Sequence, residues 1–537
     1  MPSTPTTKSQ VQAYRFVLRR MQSALVRRDA VMLHDPMRTH SRATVVGVCL
    51  AAIGMLGFLV WALLSPSPRP PSADGIIIGK ESGAVYVFLK QPRPMLIPTF
   101  NLASARLLLL AQKEQATPGA EGGNTPVQGA ASVEKVVPPE VIPDDQLKDI
   151  PRERLTGIIN GPQLLPTDNQ RITPHWAVCD TYRLDEGLNN PDEDDEVRTS
   201  VLAGVADLGP ELQPNESLLV RSDAGEYYLV YRTPQTANRP NDNTVRAKVD
   251  MEDARVTAAL KLLKKDSRVI TTGTLNAIPE TPPLVAPSIE GRDESSTFEL
   301  ADLKVGAVFQ VDRAGGTDYW VVLRDGIQQI KRATADLIRH AKTVSGEEIA
   351  RIRPDQINNL PRSQAVIEEG TFPAEVPEVL LASNYPVACL GWSLVGEGSD
   401  TEEHTAVHVG KALPMPRDGQ GQSHTTIQMN TPGADGPGIQ DFFMTPGRAA
   451  VVRSSTSRYD MSTGPISLVS DRGVKYGVPD QRTAQALGLA NQQPAPDAIL
   501  RLLPDGASLN TKDVLQSYDS VPAPAGQFPT QAPKAGG

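Results

Sequence analysis

The pattern of hydrophobic and polar positions is dominated by one uncharged apolar run at residues 43–64. The run spans 22 residues. As a helix rising about 1.5 Å per residue it is roughly 33 Å long, enough to cross a bilayer core of about 30 Å. The sequence therefore predicts a head (residues 1–42), one transmembrane helix (43–64) and a large body (65–537).

The head has its own helical pattern. Its apolar residues recur at alternating spacings of three and four, which places them on one face of a helix; they are Val11, Tyr14, Leu18, Met21 and Leu25. This basic amphipathic helix could lie on anionic lipid or dock on a cytosolic partner, and the pattern fits both. The docking hypothesis assigns a surface to six residues: Tyr14, Leu18, Met21, Leu25, Arg19 and Arg27.

The body contains an internal duplication. Residues 143–152 resemble residues 354–362, and their Pro-Arg pairs are offset by 210 positions, the same offset that separates Cys179 from Cys389. A third match pairs residues 214–222 with residues 446–454. We interpret these matches as two related halves, with the two cysteines at equivalent positions near a pseudo-two-fold axis.

Smaller units flank each half, each predicted as a strand or two, a turn and a short helix. We expect an α+β fold, with an elongated body of four small α/β repeat units around a pseudo-two-fold central core. The predicted boundaries are: Pro-rich linker 65–75, unit 1 at 76–152 with a disordered insertion at 115–132, core half 1 at 153–225, unit 2 at 226–304, unit 3 at 305–362, core half 2 at 363–463, unit 4 at 464–520 and a disordered tail at 521–537.

The distribution of charge predicts the orientation. The head carries eight basic and two acidic residues, a net charge of +6. The whole chain carries −9, so residues 43–537 carry −15. Positive charge beside a span favours the cytoplasmic side, which places the body outside the cytoplasmic membrane. A cleaved signal peptide is the alternative, but its apolar region is about 7–15 residues long and ends at a small-residue cleavage site; here Ser65 and Pro66 follow the run.

The chain has three cysteines. Cys49 lies inside the span, which leaves Cys179 and Cys389 in the exported body. In an oxidising compartment these two most simply form a disulfide; two buried free thiols are the alternative. We also expect Trp176 and Trp392, which lie close to the cysteines in sequence, to pack over the bridge.

The sequence contains little that indicates catalysis. It has no GxxxxGK[ST] phosphate-binding loop, no GxSxG and no HExxH motif. His404 and His408 are four apart, but no third metal ligand is evident. The acidic run at 192–196 fits a solvated loop better than a calcium or partner site. The acidic body argues against nucleic-acid binding. No catalytic, cofactor-binding or metal-binding residue is assigned.

Two stretches of the head resemble a known family. Residues 10–21, followed by Leu25, Val26, Arg27, Arg28 and Asp29 and then by Asp35, Pro36, Met37 and Arg38, look like the N-terminus of EccB, a membrane component of mycobacterial type VII (ESX) secretion systems. The single span, the cysteine pair and the turn at 446–448 also match. Length and local sequence favour the member of the system linked to metal acquisition.

The resemblance carries several expectations. It implies an inner-membrane, single-pass protein with a cytoplasmic N-terminus and a periplasmic body, in a hexameric complex with EccC, EccD, EccE and other EccB copies. It implies repeat domains like the cell-wall-binding units of a phage lysin, and it favours partner docking for the head. The function expected is a structural subunit for protein export; a peptidoglycan-binding anchor is one alternative. The family has also been described as an ATPase, which makes ATP a possible cofactor, but this sequence lacks the motif that such a role needs.

Overall fold

The computed structural model describes residues 7–28, 37–64, 73–116, 136–183, 196–233, 243–396, 401–429, 438–456 and 461–519. It divides into two units, residues 1–70 and 71–537. Most of the predicted linker and insertion, the tail at 521–537 and the acidic residues 192–195 lie outside the described residues, so the expectations for them stay predictions.

The first unit contains two helices, α1 (Lys8–Arg27) and α2 (Met37–Leu64). A stretch of α2, Ser41–Ala62, is 22 residues long with a mean hydropathy of 2.4, which is long and apolar enough to cross a membrane. Helix α2 begins at Met37, six residues before the predicted span at 43–64. Its first turns therefore include the charged residues Arg38 and Arg42. The described side chains of this stretch are all exposed within the chain, as expected for a helix that faces lipid or other proteins.

The body is built of short strands and short helices. Its first part contains β1 Gly75–Gly79, β2 Val85–Leu89, β3 Met95–Thr99, α3 Leu102–Ala116, β4 Glu140–Ile142, β5 Leu155–Thr156 and β6 Trp176–Arg183. Its middle part contains β7 Glu196–Ala203, β8 Glu216–Arg221, β9 Tyr227–Arg232, β10 Thr244–Lys248, α4 Ala254–Leu260, β11 Arg268–Val269, α5 Thr272–Ala277, β12 Glu280–Thr281, β13 Val308–Arg313, β14 Gly316–Val322, β15 Ile327–Ile330, α6 Arg332–His340 and β16 Ala350–Arg351. Its last part contains α7 Pro354–Ile357, β17 Glu378–Val379, β18 Val387–Val395, β19 Glu402–Gly410, β20 Ile427–Gln428, β21 Asp441–Met444, β22 Ala449–Ser455, β23 Ile466–Ser470, β24 Lys475–Val478, α8 Gln481–Leu487, β25 Gln493–Pro496, α9 Asp497–Leu500 and β26 Ser517–Tyr518.

One chain order recurs in four of the sheets. Three consecutive strands pair antiparallel, a helix follows, and a last strand returns parallel to the first. The four instances are β1-β2-β3-α3-β4, β8-β9-β10-α4-β11, β13-β14-β15-α6-β16 and β22-β23-β24-α8-β25. A helix between parallel strands is expected, because such a connection must cross from one end of the sheet to the other.

A separate sheet lies between these groups in chain order, with strand order β19-β18-β6-β7-β21-β20. The hairpin β6–β7 and the hairpin β18–β19 join through antiparallel pairing of β6 with β18. Trp176, Val178 and Leu390 from this sheet share one hydrophobic cluster with residues of β8, β9, β22 and β23. The body therefore has a mixed α/β fold of several small sheets, which confirms the predicted combination of short strands and short helices.

The strand pairing corrects two predicted boundaries. The predicted boundaries put β8 in core half 1, but it pairs with β9, which the prediction puts in unit 2. They put β22 in core half 2, but it pairs with β23, which the prediction puts in unit 4. Both errors have one cause: a strand that opens a meander carries the same apolar pattern as a core strand, and only its partner reveals its sheet. The sheet that contains β1, β2 and β3 also includes β26 from residues 517–518, which pairs with β5.

Candidate functional site

Helix α1 is set up by its first residues. Thr7 is the N-cap, and its backbone N–H donates to the side-chain oxygen of Gln10 at 3.0 Å, half of a capping box. At about 100° per residue, the five apolar positions fall within an arc of about 80°. Three of them are well exposed within the chain: Tyr14 at 66%, Met21 at 55% and Leu25 at 80%.

The apolar members of the docking set proposed from the sequence therefore form one face that the described residues leave uncovered. Leu18 lies on this face at 40% exposure, whereas Arg19 is exposed on another side of the helix, about 100° further round. Arg27 is the last residue of α1, and its side chain lies outside the described part. Exposed apolar side chains aligned on one helix face are typical of a surface that is buried by lipid or by a partner.

Cys179 in β6 and Cys389 in β18 are directly opposite each other and form a disulfide with an S–S distance of 2.06 Å. Both are almost completely buried, with 0% and 1% exposure. They share a cluster with Ala177, Leu202 and Phe443. The bridge connects residues 210 positions apart and fixes the contact between the two hairpins of the central sheet.

The expectation for the tryptophans is wrong. Trp176 and Trp392 are paired across the same two strands, but each is an odd number of positions from its cysteine. Because side chains alternate between faces along a strand, both rings point to the opposite face of the sheet from the bridge. They are buried in a different hydrophobic cluster, with Val178 and Leu390.

Next to Cys179 lies a buried carboxylate that no sequence pattern indicates. Asp180 is 5% exposed and accepts hydrogen bonds from three threonine hydroxyls: Thr199 at 2.8 Å, Thr274 at 2.7 Å and Thr271 at 3.0 Å. The backbone N–H of Thr271 also donates to it, at 2.8 Å. Burial raises the pKa of Asp180, and the hydrogen bonds oppose that rise. The carboxylate thereby joins β6, β7 and the start of α5.

A buried arginine lies beside this network. Arg268 and Asp180 line the same small cavity. The guanidinium of Arg268 donates to the carbonyl oxygens of Tyr385 at 2.8 Å and Leu380 at 3.2 Å. Desolvation lowers its pKa to about 10. These bonds attach β11 to the segment between β17 and β18, so a cation serves here as a cross-link between backbones.

Two further arginines hold the end of α8. The guanidinium of Arg106 in α3 donates to the carbonyl of Leu487, and Arg171 donates to the carbonyl of Gly488 at 3.2 Å. Carbonyls at a helix C-terminus lack intrahelical donors and carry partial negative charge, which favours cations there. Burial lowers the pKa of Arg106.

The described residues offer no constellation for catalysis by a metal. No group of three His, Cys, Asp or Glu side chains is arranged to hold a metal ion within them. His404 and His408 lie on strand β19 rather than on a helix. His404 Nε2 is 3.7 Å from a carboxylate oxygen of Glu211, and His408 Nδ1 is 2.8 Å from the carbonyl oxygen of Gly209. Each histidine thus has a partner of its own.

Comparison with known proteins places these features in a family. Residues 3–523 match the family described as type VII secretion system ESX-1, transport TM domain B, EccB. The chain belongs to the EccB family. The match includes the head, the apolar helix and the body, so the resemblance seen in the head extends over the whole chain.

Curated relatives of this EccB chain come from several ESX systems. It is 29% identical to the "ESX-3 secretion system ATPase EccB3" of Mycobacterium tuberculosis, over 96% of this chain and 90% of the relative. It is 27% identical to "ESX-1 secretion system ATPase EccB1" of the same species, over 96% of each chain. Identities this similar do not assign the chain to one system, and the link to the metal-acquisition system stays a prediction.

Solved structures share the fold. A chain of an intact ESX-5 inner membrane complex matches with a TM-score of 0.65 at 23% identity, over 99% of both chains. A chain of the EccB3 dimer from the ESX-3 core complex matches with a TM-score of 0.62 at 25% identity, over 83% of this chain and 100% of the other. The fold of an EccB subunit is therefore present here along nearly the whole chain.

Proposed function

We propose that this protein is a structural subunit of a type VII secretion inner-membrane complex. In this role it links subunits on the cytosolic side and in the membrane to a periplasmic assembly. The observation that carries the proposal is the continuous family match, which includes the candidate membrane helix as well as the body. Solved relatives occur in an ESX-5 inner membrane complex and as an EccB3 dimer. The partners proposed are EccC, EccD, EccE and further copies of this chain, in a hexameric arrangement.

The proposed orientation places residues 1–42 in the cytoplasm and the body in the periplasm. The net charge of +6 on the head supports it, because basic residues beside a span stay on the cytoplasmic side. A buried disulfide in the body supports it as well, since oxidising compartments preserve such bonds. Protease added to spheroplasts should degrade a C-terminal tag and spare an N-terminal tag; the reverse pattern rules out this orientation.

The proposed docking surface is the apolar face of α1. Leu18→Asp together with Met21→Asp places two charges in that face, and we expect the variant to lose co-purification with the complex in mild detergent. Ser23→Asp is the matched control, because it adds a charge to the exposed opposite side of the same helix. Co-purification of the face variant at the level of the control refutes docking through this face.

We also infer that the body consists of two related halves, each with two of the four recurring sheets, around the central sheet. The shared chain order supports this, together with the offset of 210 positions that relates both the cysteines and the Pro-Arg pairs. Contacts between helices connect the recurring sheets in pairs. Helix α3 of the first sheet packs on α8 of the fourth, and α4 of the second packs on α6 of the third. The repeat boundaries, adjusted for β8 and β22, are part of this proposal.

ATP hydrolysis is the second candidate, because the curated relatives carry the word ATPase in their names. The absence of a phosphate-binding loop from the sequence weighs against it. The test is to purify the full chain by size-exclusion chromatography as the last step and to measure ATP hydrolysis in each fraction. Activity that saturates with ATP and follows the protein peak supports an enzyme; activity in neighbouring fractions indicates a contaminant.

The alternative of a peptidoglycan-binding anchor is tested with the same preparation. Retention of the protein on purified cell wall supports it, and absence of retention at moderate salt refutes it.

A further inference from the structure

Each recurring sheet is closed by one further contact on its third strand. After the last parallel strand the chain returns, and the carbonyl of a proline accepts a hydrogen bond from a backbone N–H of the third strand, at between 2.8 and 3.0 Å. The four pairs of donor and acceptor are Leu96 with Pro151, Arg246 with Pro279, Ile327 with Pro361 and Lys475 with Pro504. The residue after each proline is charged, and we call these four the clamp residues: Arg152, Glu280, Arg362 and Asp505.

In the second and fourth sheets the clamp residue is acidic and pairs with a cation of the third strand. A carboxylate oxygen of Glu280 is 2.9 Å from Arg246 Nη2, and one of Asp505 is 3.1 Å from Lys475 Nζ. These charge-assisted contacts reinforce the main-chain hydrogen bond of the clamp.

In the first and third sheets the clamp residue is an arginine that lies over an aromatic ring of the middle strand. Arg152 Cζ is 5.5 Å from the ring centroid of Tyr86, and Arg362 Cζ is 4.2 Å from that of Trp320. Both rings are buried. A guanidinium on a ring gains a cation–π attraction, so this contact takes the place of the ion pair in these two clamps.

The two kinds of clamp go with two kinds of cover. Every recurring sheet packs one face on its own helix. The second face of the second and fourth sheets packs on the central sheet: Val230 of β9 and Val469 of β23 share one hydrophobic cluster with Val178 and Leu390 of the central strands.

The second face of the first sheet is covered instead by the segment that leads to its clamp. Tyr86 and Leu96 form a cluster with Leu147, and Ile150 packs against this cluster. Leu147 is 0% exposed, so this segment seals the face although it contains little regular structure.

The third sheet repeats this arrangement. Trp320 and Ile327 form a cluster with Ile357, and Leu360 packs against it. Ile357 is also 0% exposed and lies 210 positions after its counterpart Leu147. The covering residues belong to the duplicated stretches of the sequence, and we call residues 143–152 and 354–362 the cover segments.

We propose that the cover segments take, on the first and third sheets, the place that the central sheet takes on the second and fourth, and that they thereby withhold these two faces from packing on another copy of the chain. An uncovered face of large apolar side chains favours association, because association removes it from water. The second and fourth sheets show the behaviour of such a face without a cover segment: it packs on another sheet. The matching of the sheets rests on the two-half organisation proposed above, whereas the contacts belong to each sheet separately.

The clamp is tested by hydrogen exchange of the full chain in mild detergent, read at single amides by mass spectrometry. Arg152→Met with Arg362→Met removes both guanidinium groups and keeps the proline carbonyls. We expect the amides of Leu96 and Ile327 to exchange about twofold to fivefold faster, which corresponds to the loss of a cation–π contact of about 0.5–1 kcal/mol.

Arg154→Met with Arg353→Met is the matched control. Both arginines are exposed and lie close to the clamps in sequence, but they pair with Asp519 and Asp355 instead of lying on a ring. The clamp amides of the second and fourth sheets are an internal reference in every sample, and their exchange should stay unchanged.

The cover itself is tested by sedimentation of the full chain in the same detergent. Leu147→Asp with Ile357→Asp places a carboxylate in each buried cluster and should detach the cover segments. We expect a shift to larger species whose proportion rises with protein concentration. Lys148→Asp with Asn358→Asp is the control, because these neighbours are exposed in the same segments.

Equal exchange in the methionine variant and its control overturns the proposal, and so does faster exchange at all four clamps, which indicates a general loss of stability. A cover variant that sediments like its control overturns it as well. Where the cover variant does not fold, the methionine variant can still overturn the proposal, since it leaves both clusters in place. These outcomes concern the isolated chain, so the secretion role is decided separately by co-purification.

Discussion

Removing the carboxylate of Asp180 should destabilise the body substantially. In Asp180→Ala four donors lose their acceptor: the hydroxyls of Thr199, Thr271 and Thr274 and the backbone N–H of Thr271. Two of these hydroxyls can turn to each other, since Thr199 and Thr271 oxygens are already 3.0 Å apart. The backbone N–H at the start of α5 has no such substitute.

The magnitude follows from these partners. A hydrogen bond to a charged group contributes about 1.5–3 kcal/mol, and a buried unsatisfied donor costs about 1–3 kcal/mol. Losing the carboxylate also removes its desolvation cost, which is the cause of its raised pKa. We therefore expect Asp180→Ala to lower the free energy of unfolding by about 2–4 kcal/mol. Asp180→Asn keeps one acceptor oxygen and should lose about 1–2 kcal/mol.

Unfolding of the full chain by urea in mild detergent, followed by tryptophan fluorescence, measures this directly. Trp176 and Trp392 lie in the same sheet as Asp180, so their emission reports on this region. Asp207→Asn is the control: Asp207 is exposed, and among the described residues its carboxylate accepts only from the N–H of Gly209 in its own loop. Equal stability of Asp180→Ala and the control refutes the role assigned to the network.

The pH dependence provides a second arm. Because the folded state raises the pKa of Asp180 above its ordinary 3.8, the folded protein binds the proton more tightly than the unfolded chain does. The contribution of this group is therefore most favourable below 3.8 and is lost as the pH rises through the raised folded pKa. Asp180→Asn should show a smaller loss of stability over that window than wild type; a larger loss contradicts the reasoning.

The remaining predictions concern covalent and packing restraints. Replacing Cys179 and Cys389 by alanine should destabilise the body by up to about 5 kcal/mol on the chain-entropy account, and both thiols should resist alkylation before reduction; free labelling of the folded wild type contradicts the bridge. Arg106→Met should lower the free energy of unfolding by about 1–3 kcal/mol, because it leaves the carbonyl of Leu487 without this donor; thermal melts measure it. Gly464→Ala should destabilise by at least about 1 kcal/mol, since a Cβ there lies 1.7 Å from a backbone oxygen; a melt equal to wild type argues against that close approach.

The candidate membrane helix and the amphipathic helix α1 were predictable because their signals are local. An uncharged run of 22 residues and a spacing of three and four are read from neighbouring positions alone. The disulfide was predictable for a different reason: the compartment inferred from charge left only Cys179 and Cys389 to pair, and the structure joins them. Duplication in the sequence also indicated that they occupy related positions.

The tertiary structure decided what depends on pairing between distant strands. Strands β8 and β22 have apolar patterns that fit either a core or a repeat unit, and only their hydrogen-bonded partners assign them to a sheet. Alternation along β6 and β18 put the tryptophans on the face away from the bridge, although their closeness in sequence had suggested contact.

The network around Asp180 is the clearest case. Its donors come from residues 19, 91 and 94 positions away. Threonines are common and carry no spacing signal, so this network could not be predicted from the sequence. The sequence by itself determines the helices and strands, the apolar span and the cysteine pair. Which polar groups meet in the interior depends on how the sheets assemble, because burial and hydrogen bonding are properties of the folded neighbourhood rather than of any local segment.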